Sequence, residues 1–169
     1  NLYPETQELR MSFDFINVGI ADMGVAASPN TLRTILGSCI GICIYDPKMK
    51  IGGMSHIMLP SSKKPSNNLK KYADTAIPLM IGEMIKAGAD KDRFVAKLAG
   101  GATMFKYTDN SLMGEIGKNN ILSVREILAS YKIPIISEEV GGDYGRTIDF
   151  YLETGELKIK TIGKEPKII

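Results

Sequence analysis

The chain holds one histidine and two cysteines, and the histidine, His56, follows Cys39 by seventeen residues. A thiol and an imidazole within hydrogen-bonding reach form a nucleophile and its base, the pair that acyl-transfer chemistry requires. Their spacing suits a β-hairpin. Residues 35–45 (Ile-Leu-Gly-Ser-Cys-Ile-Gly-Ile-Cys-Ile-Tyr) read as one strand, Asp46-Pro47-Lys48-Met49 as a four-residue loop on a type I turn, and residues 50–59 as the returning strand. A two-residue primed turn on Pro47-Lys48 is disfavoured, because it needs positive φ where proline holds φ near about −65°. With the four-residue loop Tyr45 faces Lys50, and Cys39 lies directly opposite His56 on one face, their Cβ atoms about 4.5–5.5 Å apart. A five-residue loop would send the two to opposite faces. Ile40, Ile42 and Ile44 alternate with Cys39, Gly41, Cys43 and Tyr45, which predicts one apolar core face and one mixed, partly open face.

The residues alone leave other roles open. A cysteine on an apolar strand is also a small buried hydrophobe, the role we assign to Cys43. A single strand histidine is often structural. Cys39, Cys43 and His56 share a face and offer three zinc ligands, without an evident fourth. Met54, Met58, Met80 and Met84 suit core or groove packing. Residues 114–119 (Gly-Glu-Ile-Gly-Lys-Asn) lack the spacing of a phosphate loop and the hydroxyl residue after lysine.

The elements that must position the pair follow from length and pattern. With 169 residues, 44% hydrophobic and 24% charged, the chain suits one well-buried domain. We place it at 13–163, between a loose segment at 1–12 and a tail at 164–169. A strand is expected over residues 13–18, turns over 19–30, and an exposed loop over 61–68. A helix over 72–87 carries the stripe Ala73, Ala76, Ile77, Met80, Ile81, Met84 and Ile85 and stops at Gly88. Pro78 costs about 3 kcal/mol inside a helix, so the pattern predicts Asp74 as the cap and Pro78 near the first turn. A strand over 93–99 leads into Gly100-Gly101, a second helix covers 121–131, and a strand over 133–140 precedes Gly141-Gly142. A hairpin then runs over 146–152 and 157–162 around Thr154-Gly155. The order is α+β, with two packed sheets flanked by helices.

A net charge of +2, with lysines and arginines scattered apart from Lys63-Lys64 and Lys70-Lys71, gives no nucleic-acid surface. No apolar run has the length of a membrane span, and no signal-peptide pattern opens the chain. Two cysteines four apart on a strand are roughly 13 Å from each other, too far to bridge. Reduced thiols fit a cytoplasmic location.

Four strings, taken in order, carry a resemblance: Thr34-Ile-Leu-Gly-Ser-Cys39, Ser55-His-Ile-Met-Leu-Pro60, Lys71-Tyr-Ala-Asp74, and Leu98-Ala-Gly-Gly-Ala-Thr-Met-Phe105. Together with Gly117-Lys118-Asn119 and Gly141-Gly142, they make the chain similar to the CheD family, chemoreceptor glutamine deamidases of bacterial and archaeal chemotaxis. The likeness runs from about Val18 to Leu157. It implies a four-layer α/β/β/α sandwich like the catalytic fold of cytotoxic necrotizing factor. It also implies a catalytic cysteine, histidine and threonine, carried here by Cys39, His56 and Thr34. Arg33 stands six before the cysteine, where some members have the threonine, and Thr31 is the fallback. The implied partners are the cytoplasmic helical domains of methyl-accepting chemoreceptors and a CheC-type phosphatase.

The chemistry would need no metal or organic cofactor. A carboxamide is a poor electrophile, so its hydrolysis needs a strong nucleophile, a proton for the leaving ammonia and stabilisation of the oxyanion. Cys39 would attack as a thiolate made acidic by protonated His56, Thr34 would orient the imidazole, and the Gly37-Ser38 loop would present backbone N–H groups to the oxyanion. Lys63 and Lys64 would border the groove that receives a receptor helix and steer acidic surfaces to it. The alternatives are a regulatory CheC-binding module with little catalysis, or a cysteine peptidase or transglutaminase.

Overall fold

The computed structural model describes residues 15–62, 67–104 and 111–169, with the backbone alone at 111–114. Among these described residues ten strands form two five-stranded sheets. In chain order they are β1 (Phe15–Asn17), β2 (Asp22–Ala27), β3 (Thr31–Leu36), β4 (Ile40–Asp46), β5 (Ile51–Ile57), β6 (Val95–Gly100), β7 (Ile135–Val140), β8 (Arg146–Tyr151), β9 (Leu157–Lys160) and β10 (Lys167–Ile168). The helices are α1 (Ala73–Lys86) and α2 (Ser111–Ser130). The first sheet has the order β1-β3-β8-β9-β10 and the second β2-β5-β4-β6-β7. Both are mixed: β1 runs parallel to β3 and β7 parallel to β6, while the other pairs are antiparallel.

Alternation along the central strands builds the layers. Ile40, Ile42 and Ile44 of β4, with Ile51 and Ile57 of β5, join the buried faces of α1 and α2 in one core. The opposite faces supply Cys43, Tyr45 and Met54 to a second core between the sheets, shared with Leu32, Leu36, Ile148 and Phe150. The face predicted to be partly open is therefore buried as well, because the first sheet covers it. This is the expected α+β architecture with two packed sheets. The described residues make three layers, and the fourth, helical layer of the α/β/β/α sandwich is not among them.

Several local expectations change. The predicted strand over 35–45 is two strands in different sheets: β3 ends at Leu36, residues 37–39 cross between layers, and β4 starts at Ile40. The four-residue loop lies one position later, at 47–50. Asp46 closes the strand opposite Ile51, and its carboxylate accepts from the Lys48 and Met49 N–H groups and from Arg93. Those donors hold the Asp46 carboxyl well below the usual range, the Arg93 guanidinium contributing most. Lys50 ends the loop at φ 51°, which keeps it out of the strand. Consequently Tyr45 pairs with Gly52, and it is Gly41 that faces His56.

The turn region over 19–30 contains β2, an edge strand on β5. Its sequence, Asp-Met-Gly-Val-Ala-Ala, has little β propensity, and pairing decides its conformation. Helix α1 has Tyr72 at its cap without a side-chain bond, and Pro78 sits inside it. Asp74 does not cap the helix and accepts instead from the Ser62 N–H. Ile85, placed in the apolar stripe, is exposed. Helix α2 is longer than expected and absorbs residues 114–119, which are helical rather than a loop. In the segment expected to be a tail, Lys167 and Ile168 pair with β9. Lys63 and Lys64 lie outside the described residues, as do Phe13 and Asp14 of the first expected strand.

Two glycines let both neighbours approach β5. A Cβ at Gly52 would strike Leu152 Cδ2 and lie 2.9 Å from Phe150 Cε2, while one at Gly53 would lie 2.8 Å from Met80 Sδ. Gly52→Ala should therefore lower unfolding free energy in urea by about 1–3 kcal/mol through overpacking. Gly19→Ala, with no atom within 4 Å of the added carbon, should change it by less than about 0.5 kcal/mol.

Candidate active site

Strand β3 turns Leu32, Thr34 and Leu36 inward, and Thr34 meets His56 of β5 across the gap between the sheets. Thr34 Oγ1 lies 2.7 Å from His56 Nδ1 and 2.7 Å from the Val18 carbonyl oxygen. A carbonyl can only accept, so the hydroxyl proton goes to Val18 and the oxygen receives the His56 Nδ1–H. This assigns the neutral imidazole its tautomer, with the lone pair on Nε2. That atom is buried and has no hydrogen-bond partner among the described residues. Thr31 and Arg33 point to the other face of the first sheet: Arg33 pairs with Asp149 and covers the Phe15 ring at 4.2 Å. Of the two threonines considered, Thr34 is the one that touches the histidine.

Cys39 is half-buried, precedes β4 and packs against the inter-sheet core, the side on which His56 lies. It is not directly opposite His56. The loop shift moves the register by two residues, which leaves the faces unchanged and makes the pair diagonal neighbours. Gly41, the residue between them on β4, contributes no side chain. The sulfur and Nε2 make no hydrogen bond.

This separation changes the expected electrostatics. Burial pushes the Cys39 thiol above its ordinary value, against a smaller lowering by its own backbone N–H, and burial pushes His56 down. A thiolate stabilised by imidazolium needs the two charges in contact, and here they are not. Both shifts favour the neutral thiol and the neutral imidazole over an ion pair.

The loop carrying Cys39 is held by groups that sequence reasoning left as turn formers or passed over. The Gly37 carbonyl accepts from the Ala102 N–H at 3.1 Å and the Cys39 carbonyl from the Gly101 N–H at 2.9 Å. Gly100 has φ 105°, and a Cβ there would collide with the Cys39 carbonyl oxygen. The Ser38 carbonyl accepts from the Asn120 side chain at 3.2 Å. Gly100-Gly101 was visible as a turn signal, but Asn120 carries no signal of its own in a single sequence. Cys43 is fully buried between the sheets, and its thiol is pushed far up by desolvation. Among the described residues no three His, Cys, Asp or Glu side chains group as a metal site requires. No described helix is long and apolar enough to cross a membrane.

A helix layer on two stacked mixed sheets makes this an α+β protein, with Thr34 and His56 bonded between the sheets and Cys39 packed on the same side. A Neisseria meningitidis crystal structure from the DUF152 family shares this fold at TM-score 0.51 and 8% identity, over 82% of this chain and 68% of that one. The family described as "CheD chemotactic sensory transduction" matches residues 58–161. A Caldanaerobacter subterraneus protein named "Probable chemoreceptor glutamine deamidase CheD" is 49% identical over 162 residues, covering 94% of this chain and 100% of its own. One of the same name from Clostridium novyi is 51% identical over 90% of this chain and 96% of its own. The chain belongs to the CheD family.

Two measurements follow from these shifts. Iodoacetamide alkylation of Cys39 should keep accelerating through about pH 9, as for an unassisted thiol; a plateau between about pH 6 and 8 would reveal an ion pair. The second concerns stability. Because the folded-state value of His56 lies below the ordinary 6.5, the unfolded chain takes up the proton first as pH falls. Stability present above about pH 6.5 should therefore be lost as the pH drops through the folded value. With a single histidine in the chain, His56→Asn should flatten this slope in urea unfolding between about pH 6.5 and 5.

Proposed function

We propose that the protein hydrolyses glutamine side-chain amides of chemoreceptors to glutamate, with Cys39 as nucleophile and His56 as base and acid. The observation that carries the reading is the Thr34–His56 hydrogen bond, which leaves a buried Nε2, without a partner among the described residues, on the side of the molecule that holds the Cys39 thiol. In this mechanism Sγ attacks the carboxamide carbon while Nε2 takes the thiol proton and the carbonyl electron pair moves to oxygen. Collapse of the tetrahedral adduct breaks the C–N bond, and His56 returns the proton so that ammonia leaves. A water molecule, deprotonated by His56, then hydrolyses the thioester and frees Cys39 and a glutamate side chain. Thr34 keeps the imidazole in the tautomer that can accept at Nε2, and a backbone N–H of the Gly37-Ser38-Cys39 loop supports the oxyanion.

The names of the relatives support the substrate class. The wider reading includes a cytoplasmic location beside the receptor helices, a CheC-type phosphatase as second partner, and the four-layer likeness to cytotoxic necrotizing factor. Two stacked mixed sheets with the cysteine between them are compatible with that likeness.

Incubation with a receptor helical domain, followed by peptide mapping, should show glutamine residues gaining about one dalton. Cys39→Ala and His56→Ala should each abolish this, and the double variant should be no worse than either. Cys43→Ala should keep turnover while losing packing stability. Thr34→Val should lower kcat by roughly tenfold or more without full loss. Deamidation persisting in Cys39→Ala would refute the mechanism, and an unchanged receptor with an active-site thiol intact would favour the purely regulatory alternative.

A further inference from the structure

Asn120 sits midway along α2, fully buried, at a position where asparagine is a poor helix former. Its Nδ2 donates to two carbonyls, Ser38 at 3.2 Å and Met58 at 3.0 Å, while its Oδ1 has no hydrogen-bond partner among the described residues. Leaving a buried amide oxygen unpaired is destabilising, so the side chain is a costly way to fill space. The two acceptors are telling. Ser38 immediately precedes Cys39, and Met58 follows the strand that carries His56. Helix α2 reaches this position by close approach: a Cβ at Gly117, one turn earlier, would lie 2.5 Å from the Gly101 carbonyl oxygen and 2.6 Å from that of Ala102.

The peptide geometry then has a consequence. The Ser38–Cys39 bond is trans, so its C=O and N–H point in opposite directions. Tying the Ser38 oxygen to α2 turns the Cys39 N–H away from the helix. That N–H donates to no backbone carbonyl among the described residues. The Gly37 and Cys39 carbonyls on either side are pinned to Ala102 and Gly101, so the whole peptide has little freedom to rotate. We propose that Asn120 is a positioning residue that fixes the Ser38–Cys39 peptide so that the Cys39 N–H stabilises the oxyanion formed when Sγ attacks a carbonyl. The inference rests on the cysteine-nucleophile reading above.

The test separates oxyanion support from nucleophile reactivity. The first probe is a short peptide in which a glutamine carboxamide is replaced by an aldehyde. Its addition forms an Sγ–C bond, moves the carbonyl electron pair to oxygen and transfers the thiol proton, which makes a thiohemiacetal. The second probe is iodoacetamide, whose displacement of iodide by sulfur develops no oxyanion. In Asn120→Ala and the near-isosteric Asn120→Asp, aldehyde affinity should fall at least about tenfold, and kcat for receptor deamidation about a hundredfold with KM within about threefold. Cys39 alkylation should stay within about threefold of the parent, and buried Cys43, an internal reporter of unfolding, should remain unreactive.

Unchanged aldehyde affinity would overturn the proposal, as would no aldehyde binding by the parent protein. A parallel loss of alkylation would do the same, because Asn120 would then be holding the nucleophile itself. Cys43 reacting in both variants would reassign Asn120 to fold stability and overturn it too. If the parent binds the aldehyde yet leaves receptors unmodified, the receptor reading fails while the role of Asn120 stands.

Discussion

One hydrogen bond, from His56 Nδ1 to Thr34 Oγ1, joins the two sheets at the site, and the proposed chemistry depends on it. It works because the hydroxyl has already committed its proton to the Val18 carbonyl. Thr34 therefore faces the imidazole as an acceptor, and the ring carries its neutral proton on Nδ1. The same contact is made in an apolar gap lined by Leu36 and Ile148, where water does not compete. The low dielectric that strengthens the bond also pushes the His56 value down and the Cys39 thiol up.

Bringing the sheets and helices this close requires positions without side chains. Gly41 faces His56, and a Cβ there would lie 2.7 Å from Ile148 Cδ1. Gly52 and Gly53 thin β5 on its two faces, Gly100 makes room for the Cys39 carbonyl, and Gly117 seats α2 against the Gly101-Ala102 backbone. The site is thus a property of the layer stacking. The Cys39 loop is held from one side by β6 and its continuation and from the other by α2, whereas the histidine is held by the opposite sheet. Changes far from Cys39 in sequence, on α2 above all, act on the same few atoms.

Much of this was legible in the residues, and the exceptions have physical causes. Alternating isoleucines in β4 revealed its core face because each buried branched side chain must avoid water. The shared side of Cys39 and His56 survived a two-residue register error, since side-chain direction has a period of two. The register itself was not legible: it depends on Asp46 accepting several hydrogen bonds and on Lys50 adopting positive φ, which only the folded surroundings decide. Strand β2 was hidden because its glycine and alanines follow the pairing offered by β5 rather than their own preferences. Asn120 was hidden for a related reason, since its partners lie 82 and 62 residues away.

The central claim is that Thr34 holds the imidazole with its proton on Nδ1 and its lone pair on Nε2. Because the chain has a single histidine, nitrogen-15 NMR of the uniformly labelled protein reports its tautomer without assignment. At about pH 7.5, above the ordinary histidine range, the spectrum should show a protonated Nδ1 and an unprotonated Nε2, and Thr34→Val should disturb that pattern. A proton on Nε2 in the parent protein, or imidazolium at this pH, would contradict the account.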